Sequence, residues 1–171
     1  MSEIRTDRAI RVHALDEARA AAAAAAALGM PLLIVSGRGA GRYAGAGWFR
    51  ALVERLRAEF PGLSVTAVLD CADSPGAALA ALREGVGDVA LDGPPDVVGR
   101  VAGIAAALGA RIHPPVESAF EIASEIASGG ASGTASGPEG RSDAVRACRE
   151  WLLGSTEVRP PDIANRDITG Y

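Results

Sequence analysis

The sequence predicts an α/β fold, a parallel sheet covered by helices, on three observations. Short β-like runs alternate with alanine-rich helical ones, glycine and proline breakers separate them, and nearly half of the 171 residues are hydrophobic, enough for one compact core. Ala9 to Ala14 (AIRVHA) reads as a first strand. Asp16 to Leu28 follows as a helix of high alanine propensity that Gly29 ends. MPLLIVSG gives a buried strand from Leu32 to Ser36, then a glycine-rich loop, GRGAGRYAGAG, and a helix from Trp48 to Phe60. Phe49, Leu52, Val53 and Leu56 recur there at helical spacing, so one face should lie on the sheet. Pro61-Gly62 breaks the chain before a third strand, Val65 to Leu69. Ser74-Pro75 opens the next helix with a capping hydroxyl and a proline in the first turn. Asp88 to Leu91 and Ala110 to Ile112 complete two more strands around a helix from about Asp96 to Leu108.

After Pro114-Pro115 the pattern fails. The body is expected over 1–121 and a Ser/Gly-rich linker over 122–142, flexible from Gly129 to Gly140, because its small polar repeats hold too little apolar content to bury. The rest, 143–171, should be a docking helix, Asp143 to Leu153, with Val145, Cys148, Trp151 and Leu152 on one side, and a tail extended from Arg159.

Composition excludes several chemistries. A net charge of −4 supplies no basic field for nucleic acid or anionic lipid, so neither is an expected partner. All seventeen basic residues are arginine, which removes Schiff-base mechanisms. Cys71 and Cys148 lie far apart without CxxC spacing, consistent with a reducing cytoplasm. The longest apolar run, Ala18 to Leu28 with Arg19 inside it, is too short for a bilayer and has no cleavage pattern, so no export signal is expected.

Candidate chemistry gathers at the strand ends. VTAVLDCADSPG places Asp70 and Cys71 at the end of the third strand, where α/β proteins bind ligands. The alternatives are a carboxylate that caps backbone N–H groups and a buried thiol, with Asp73 opposing thiolate formation. In the glycine-rich loop, backbone amides with Arg38 or Arg42 could hold a small anion, although Gly37, Gly39 and Arg42 fail Rossmann spacing at the third position. Tyr43 and Trp48 are expected to pack with polar tips outward.

The run AIRVHALDEARAAAAAAAALGMPLLIVSGRGAGRYAG is similar to the opening of class II fructose-bisphosphate aldolases, where a strand ending in asparagines precedes a helix, a "PVI" strand and a Ser-Gly loop. The order continues through WFRALVERLRAEFPGLSVTAVLDCADSPGAALAALREGVGDVALDG. That stretch resembles the family's Leu-Asp-His-Gly strand end, its "Ala-Gly-Phe" helix end and its Ile-Asp-Gly-Ser strand end. The resemblance spans about Ala9 to Ile112, with an echo of the terminal helix in AVRACREWLL.

It implies a ligand-binding role for Ser36, which matches a loop serine near substrate, and an acid-base role for Asp70. Gly37, Arg38, Arg42, His13 and Asp92 join Ser36 as ligand-binding candidates, and Cys71 joins Asp70 as a catalytic one. Cys71 stands where the family has its first zinc-binding histidine, and Arg11, His13 and Ala14 stand where it has its asparagines. The later zinc ligands and phosphate loops have no counterpart. No cofactor is therefore expected. The one alternative is zinc on His13, Cys71 and His113, whose strand ends would start roughly 10 Å apart before side chains converge.

The expected architecture is a partial TIM-barrel-like sheet or a flattened flavodoxin-like one. Its uncovered inner face and edges suggest a homodimer, with the C-terminal helix crossing over. The expected function is a degenerate, non-catalytic aldolase relative that binds a small phosphorylated metabolite or a pathway partner. The alternatives are a small lyase using Asp70 and a structural assembly subunit.

Overall fold

Six strands form one all-parallel sheet in the order β5-β4-β3-β2-β1-β6, with helices flanking it. The computed structural model describes residues 8–122 and 138–154, the side chains of 138 and 139 excepted. In chain order the elements are β1 (Ile10–Val12), α1 (Leu15–Leu28), β2 (Leu32–Ser36), α2 (Ala40–Tyr43), α3 (Gly45–Glu59), β3 (Val65–Asp70), α4 (Pro75–Arg83), β4 (Asp88–Ala90), α5 (Pro95–Ala107), β5 (Arg111–His113), β6 (Phe120–Glu121) and α6 (Pro138–Leu153). Strand order follows chain order from β1 to β5 without the reversal that defines a doubly wound sheet. β6 then returns to pair with β1 on its other side, leaving β5 and β6 as the two sheet edges.

Local signals set the element ends. Gly29 closes α1 in the left-handed conformation, φ 64°, donating its N–H to Ala25 and Ala26 carbonyls. Ser74 caps α4 by accepting the Ala77 N–H at 3.4 Å, with Pro75 in the first turn.

Alternation along each strand divides the core in two. Ile10 and Val12 of β1, Leu32 and Ile34 of β2, Leu69 of β3 and Val89 of β4 join the helix-side core with Phe49, Leu52 and Leu56 of α3. Adjacent helices touch along this face, α6 on α1, α1 on α3, α3 on α4 and α4 on α5. Six buried alanines make α1 thin enough for close approach. Ala144, Cys148 and Leu152, spaced by four on α6, are buried in the same core, and Trp151 stacks on Phe120 with ring centroids 5.4 Å apart. The last helix thus docks on its own chain. It begins at Pro138, inside the expected linker, and Ile122 at the other end of that linker is fully buried. Residues 123–137 and the tail from Arg159 lie outside the described residues.

The opposite face carries a second cluster of smaller residues: Ala9, Val35, Val68 and Ala90, with Val116 laid over them. The chain itself places Val116 there. Six residues, Pro114 to Ala119, lead from the end of β5 to the start of β6, crossing the sheet from one edge to the other. Five inter-strand steps of a flat sheet amount to roughly 24 Å, and the seven Cα steps from His113 to Phe120 span about 25 Å at full extension. The connection turns at Glu117 and Ser118 and so falls short of full extension, and the sheet must curve for it to reach β6 with Val116 buried beneath it. This strap covers a face expected to require flattening or a facing second chain. Burial of Val116 stabilises it by roughly 1.5–3 kcal/mol, and the small residues beneath leave it room.

Candidate functional site

The carboxyl ends of β1, β2 and β3 converge on a buried polar network. Burying ionised groups is tolerated only when each is paired and hydrogen-bonded, and this network meets that condition. Asp70, 4% exposed, ends β3. Its Oδ1 accepts the backbone N–H groups of Gly39 (2.9 Å) and Ala72 (2.8 Å), while its Oδ2 lies 3.7 Å from Nη1 of Arg11. Ser36, fully buried, accepts the Asp70 N–H on Oγ at 2.9 Å and donates to the Gly37 carbonyl at 3.2 Å. Arg11 projects from β1 on the strap side. It donates to the carbonyls of Ser36 (3.0 Å) and Val116 (2.6 Å) and pairs through Nε with Glu121 at 2.9 Å. One guanidinium thus joins β1, β2, β3, β6 and the strap. Ala72 holds a left-handed φ of 47°, strained for a side-chain-bearing residue; its N–H is fixed by Asp70 and its carbonyl by the Asp92 N–H at 2.8 Å.

Gly37 shows why the next layer is tight. A Cβ there would stand 2.6 Å from Cδ2 of His13 and 2.7 Å from the Tyr43 hydroxyl, so only glycine lets these two side chains close over the β2 end. His13 Nδ1 lies 3.4 Å from Glu17 and its Nε2 3.9 Å from Glu121. Tyr43 was expected to pack but is 69% exposed, held at the rim by the short α2; Trp48 does pack, against the helix-side core. Ser36, Gly37, His13 and Asp70 therefore come together, and Arg11 and Tyr43 join them.

Cys71 does not join them. Its side chain is fully buried in the helix-side core, and burial first, then the Asp70 charge, pushes its thiol up to about 12. That gives Cys71 a packing role in place of the expected catalytic one. Its partner is Gly41 of α2, where a Cβ would stand 2.4 Å from Sγ. Gly41→Ala should destabilise the fold by about 1–3 kcal/mol through overpacking. Urea titration should show Cys71→Ala partly rescuing it; strictly additive losses would disprove the contact.

The glycine-rich loop differs from the anion cradle expected of it. The N–H of Gly37 goes to Val12, that of Gly39 to Asp70, that of Ala40 to Gly37 and that of Arg42 to Gly39. Those amides are committed within the chain. What the loop offers outward is Arg38, 3.7 Å from Glu117, and Arg42, 3.3 Å from Asp73, both more than half exposed. Ion pairs this exposed are individually weak, so both guanidinium groups can exchange partners.

The side chain of Asp92 lies apart from this network. It accepts the Gly93 N–H at 2.8 Å beside an open cleft of about 340 Å³ that His113, Pro114 and Val98 also line. His113 bonds Asp88 through Nε2 at 2.8 Å, and Arg111 reaches the same carboxylate at 2.9 Å. Burial raises the Asp88 pKa, but the bonds from His113 and Arg111 outweigh it and leave a net lowering. A lowered folded pKa means that this contribution to stability is complete above the unfolded value, near 4, and is lost as pH falls through the folded one. Asp88→Asn should therefore flatten the acid limb of a stability–pH profile below about pH 4; an unchanged acid limb would show that Asp88 carries none of it.

The alternative zinc trio is not brought together among the described residues. His13 closes over Gly37, Cys71 faces the helix-side core and His113 is bound to Asp88; no three His, Cys, Asp or Glu side chains gather at metal-binding spacing among the described residues. No helix there is long and apolar enough to cross a membrane. Sequence reasoning missed Arg11 as the organising group, although an arginine between Ile10 and Val12 in a buried strand is itself a signal, since such a charge must find partners. No protein-family model and no curated protein matches this chain.

Proposed function

We propose that this chain is a non-catalytic relative of class II aldolases that binds a small phosphorylated metabolite at the carboxyl edge of its sheet. The observation that carries the reading is the state of Asp70: it is buried, its Oδ1 accepts two backbone N–H groups and its Oδ2 faces the Arg11 guanidinium at 3.7 Å. A general base needs a free oxygen within reach of the proton it removes, and Asp70 serves here as the pin that holds two loops. Above it, Arg38 and Arg42 present exposed guanidinium groups suited to phosphate, and His13 and Tyr43 offer polar tips at the same rim.

The test is calorimetric titration with dihydroxyacetone phosphate. Wild type should bind, and Arg38→Ala/Arg42→Ala should weaken binding by at least about a hundredfold, two charge-assisted contacts at roughly 1.5–3 kcal/mol each. No binding heat from wild type would leave the structural-subunit reading. Aldol cleavage that depends on Asp70 would replace the proposal with the lyase reading.

A further inference from the structure

We infer that the cleft between α5 and β5 binds a small organic ammonium ion, its apolar body against the cleft walls and its cationic head on Asp92. The inference goes beyond the phosphate reading and does not depend on it. Topology opens the cleft. After β5 the chain crosses to the strap face instead of supplying another helix beside α5, so Val98 and Ala102, one helical turn apart, stay half-buried opposite Ile112. The space of about 340 Å³ reaches down to buried Leu91. It lies at the carboxyl ends of β4 and β5, the edge at which open α/β sheets hold ligands. Prolines stiffen both sides, Pro94 and Pro95 at the start of α5 and Pro114 and Pro115 after β5, so the shape is set before a ligand arrives.

The polar groups decide which ligand fits. Pro95, Pro114 and Pro115 have no N–H to offer. The Leu91 N–H is bound to the His113 carbonyl at 3.0 Å, that of Asp92 to Ala72 at 2.8 Å, that of Gly93 to Oδ1 of Asp92 at 2.8 Å and that of Val98 to Pro94 at 3.0 Å. Those of Ala102 and His113 belong to the α5 and β4–β5 ladders, and the Ile112 N–H points along the sheet plane to its open edge. The His113 ring turns Nε2 to Asp88. An anion would therefore meet a carboxylate in a cleft whose donors are committed.

What the cleft offers is an acceptor. Asp92 is exposed at its mouth, with Oδ2 outside the bond to Gly93. The neighbouring carboxylates are neutralised in place, Asp88 by Arg111 at 2.9 Å and Asp96 by Arg100 at 3.1 Å. Asp96 also sits in the first turn of α5, where it complements the positive helix end. Asp92 has no cationic partner among the described residues. A positive group with several N–H donors answers that carboxylate, and an aliphatic body answers Leu91, Val98 and Ile112.

The test is amide chemical-shift titration of the full chain at neutral pH with probes of one shape: cyclohexylmethylamine, cyclohexylmethanol and cyclohexanecarboxylate. The ammonium should shift the Gly93 and Ala102 amides and bind about tenfold tighter than the alcohol, the worth of one charge-assisted bond at an open site. The carboxylate should not bind. Asp92→Asn can still accept the Gly93 N–H, so it should keep the fold by circular dichroism and bring the ammonium down to the affinity of the alcohol. Ala102→Leu should fill the cleft and remove both. An ammonium that binds no tighter than the alcohol would overturn the inference, as would a preference that survives Asp92→Asn. Binding undiminished by Ala102→Leu, or without shifts at Gly93 and Ala102, would also overturn it, because the ligand would then lie elsewhere. The phosphate reading is tested at Arg38 and Arg42 and stands or falls apart from these outcomes.

Discussion

Asp70→Ala should cost about 3–5 kcal/mol of folding stability, a large part of what a domain of this size has. Truncation strands the buried N–H of Gly39 and the half-buried N–H of Ala72 and leaves Arg11 with one carboxylate fewer, while Ala72 loses the bond that helps hold its left-handed backbone. Asp70→Asn should cost less, about 2 kcal/mol. Its oxygen can still accept both backbone bonds, but its amide nitrogen would face the guanidinium donor to donor. Urea titration at neutral pH measures both, with m held as the check that the unfolded state is unchanged. A loss below 1 kcal/mol for the alanine variant would refute the pinning role and free the carboxylate for chemistry. The proposed ligand contacts should behave oppositely: Arg38 and Arg42 are exposed, and their alanine variants should leave the urea midpoint in place while weakening phosphate binding.

The βα alternation was legible because each unit carries its own signals. Hydrophobic spacing marked the sheet-facing side of α3, Gly29 and Ser74-Pro75 marked helix ends, and Asp70 stood at a strand end. Element ends moved by no more than three residues except at α6, which begins at Pro138, five residues before the expected Asp143. α3 starts at Gly45 and not Trp48, since a run of glycine and alanine gives periodicity nothing to register. The short α2 was missed for the same reason. What was not legible depends on long-range partners. β6 is two residues long, too short for any pattern, and exists because Phe120 donates its N–H to the Ala9 carbonyl at 2.9 Å. The strap could not be inferred from Pro114-Pro115, because nothing local says which face a connection crosses. A strand-end position and a run of glycines with arginines drew attention to Cys71 and the glycine-rich loop as chemistry, whereas their contacts are packing and backbone closure.

Arg11→Met tests the other half of the network, and its expected cost is about 3 kcal/mol. Methionine matches much of the volume, so the loss reports polar contacts more than a cavity. It leaves the Ser36 and Val116 carbonyls without their buried donor and Asp70 and Glu121 without the charge between them. The location of the loss matters more than its size. Arg11 is the buried polar tie between the strap and the body, the Arg38–Glu117 pair being exposed, so its removal should loosen the strap first. Amide exchange at Phe120 should accelerate more than exchange at Val35 or Val68 in the neighbouring strands, a local opening distinct from global unfolding. Uniform acceleration across these amides would mean that Arg11 contributes to stability generally and that Val116 alone keeps the strap in place. Selective loosening would make the strap a separable element, held over the curved face by one buried arginine whose other partners lie in the candidate ligand site.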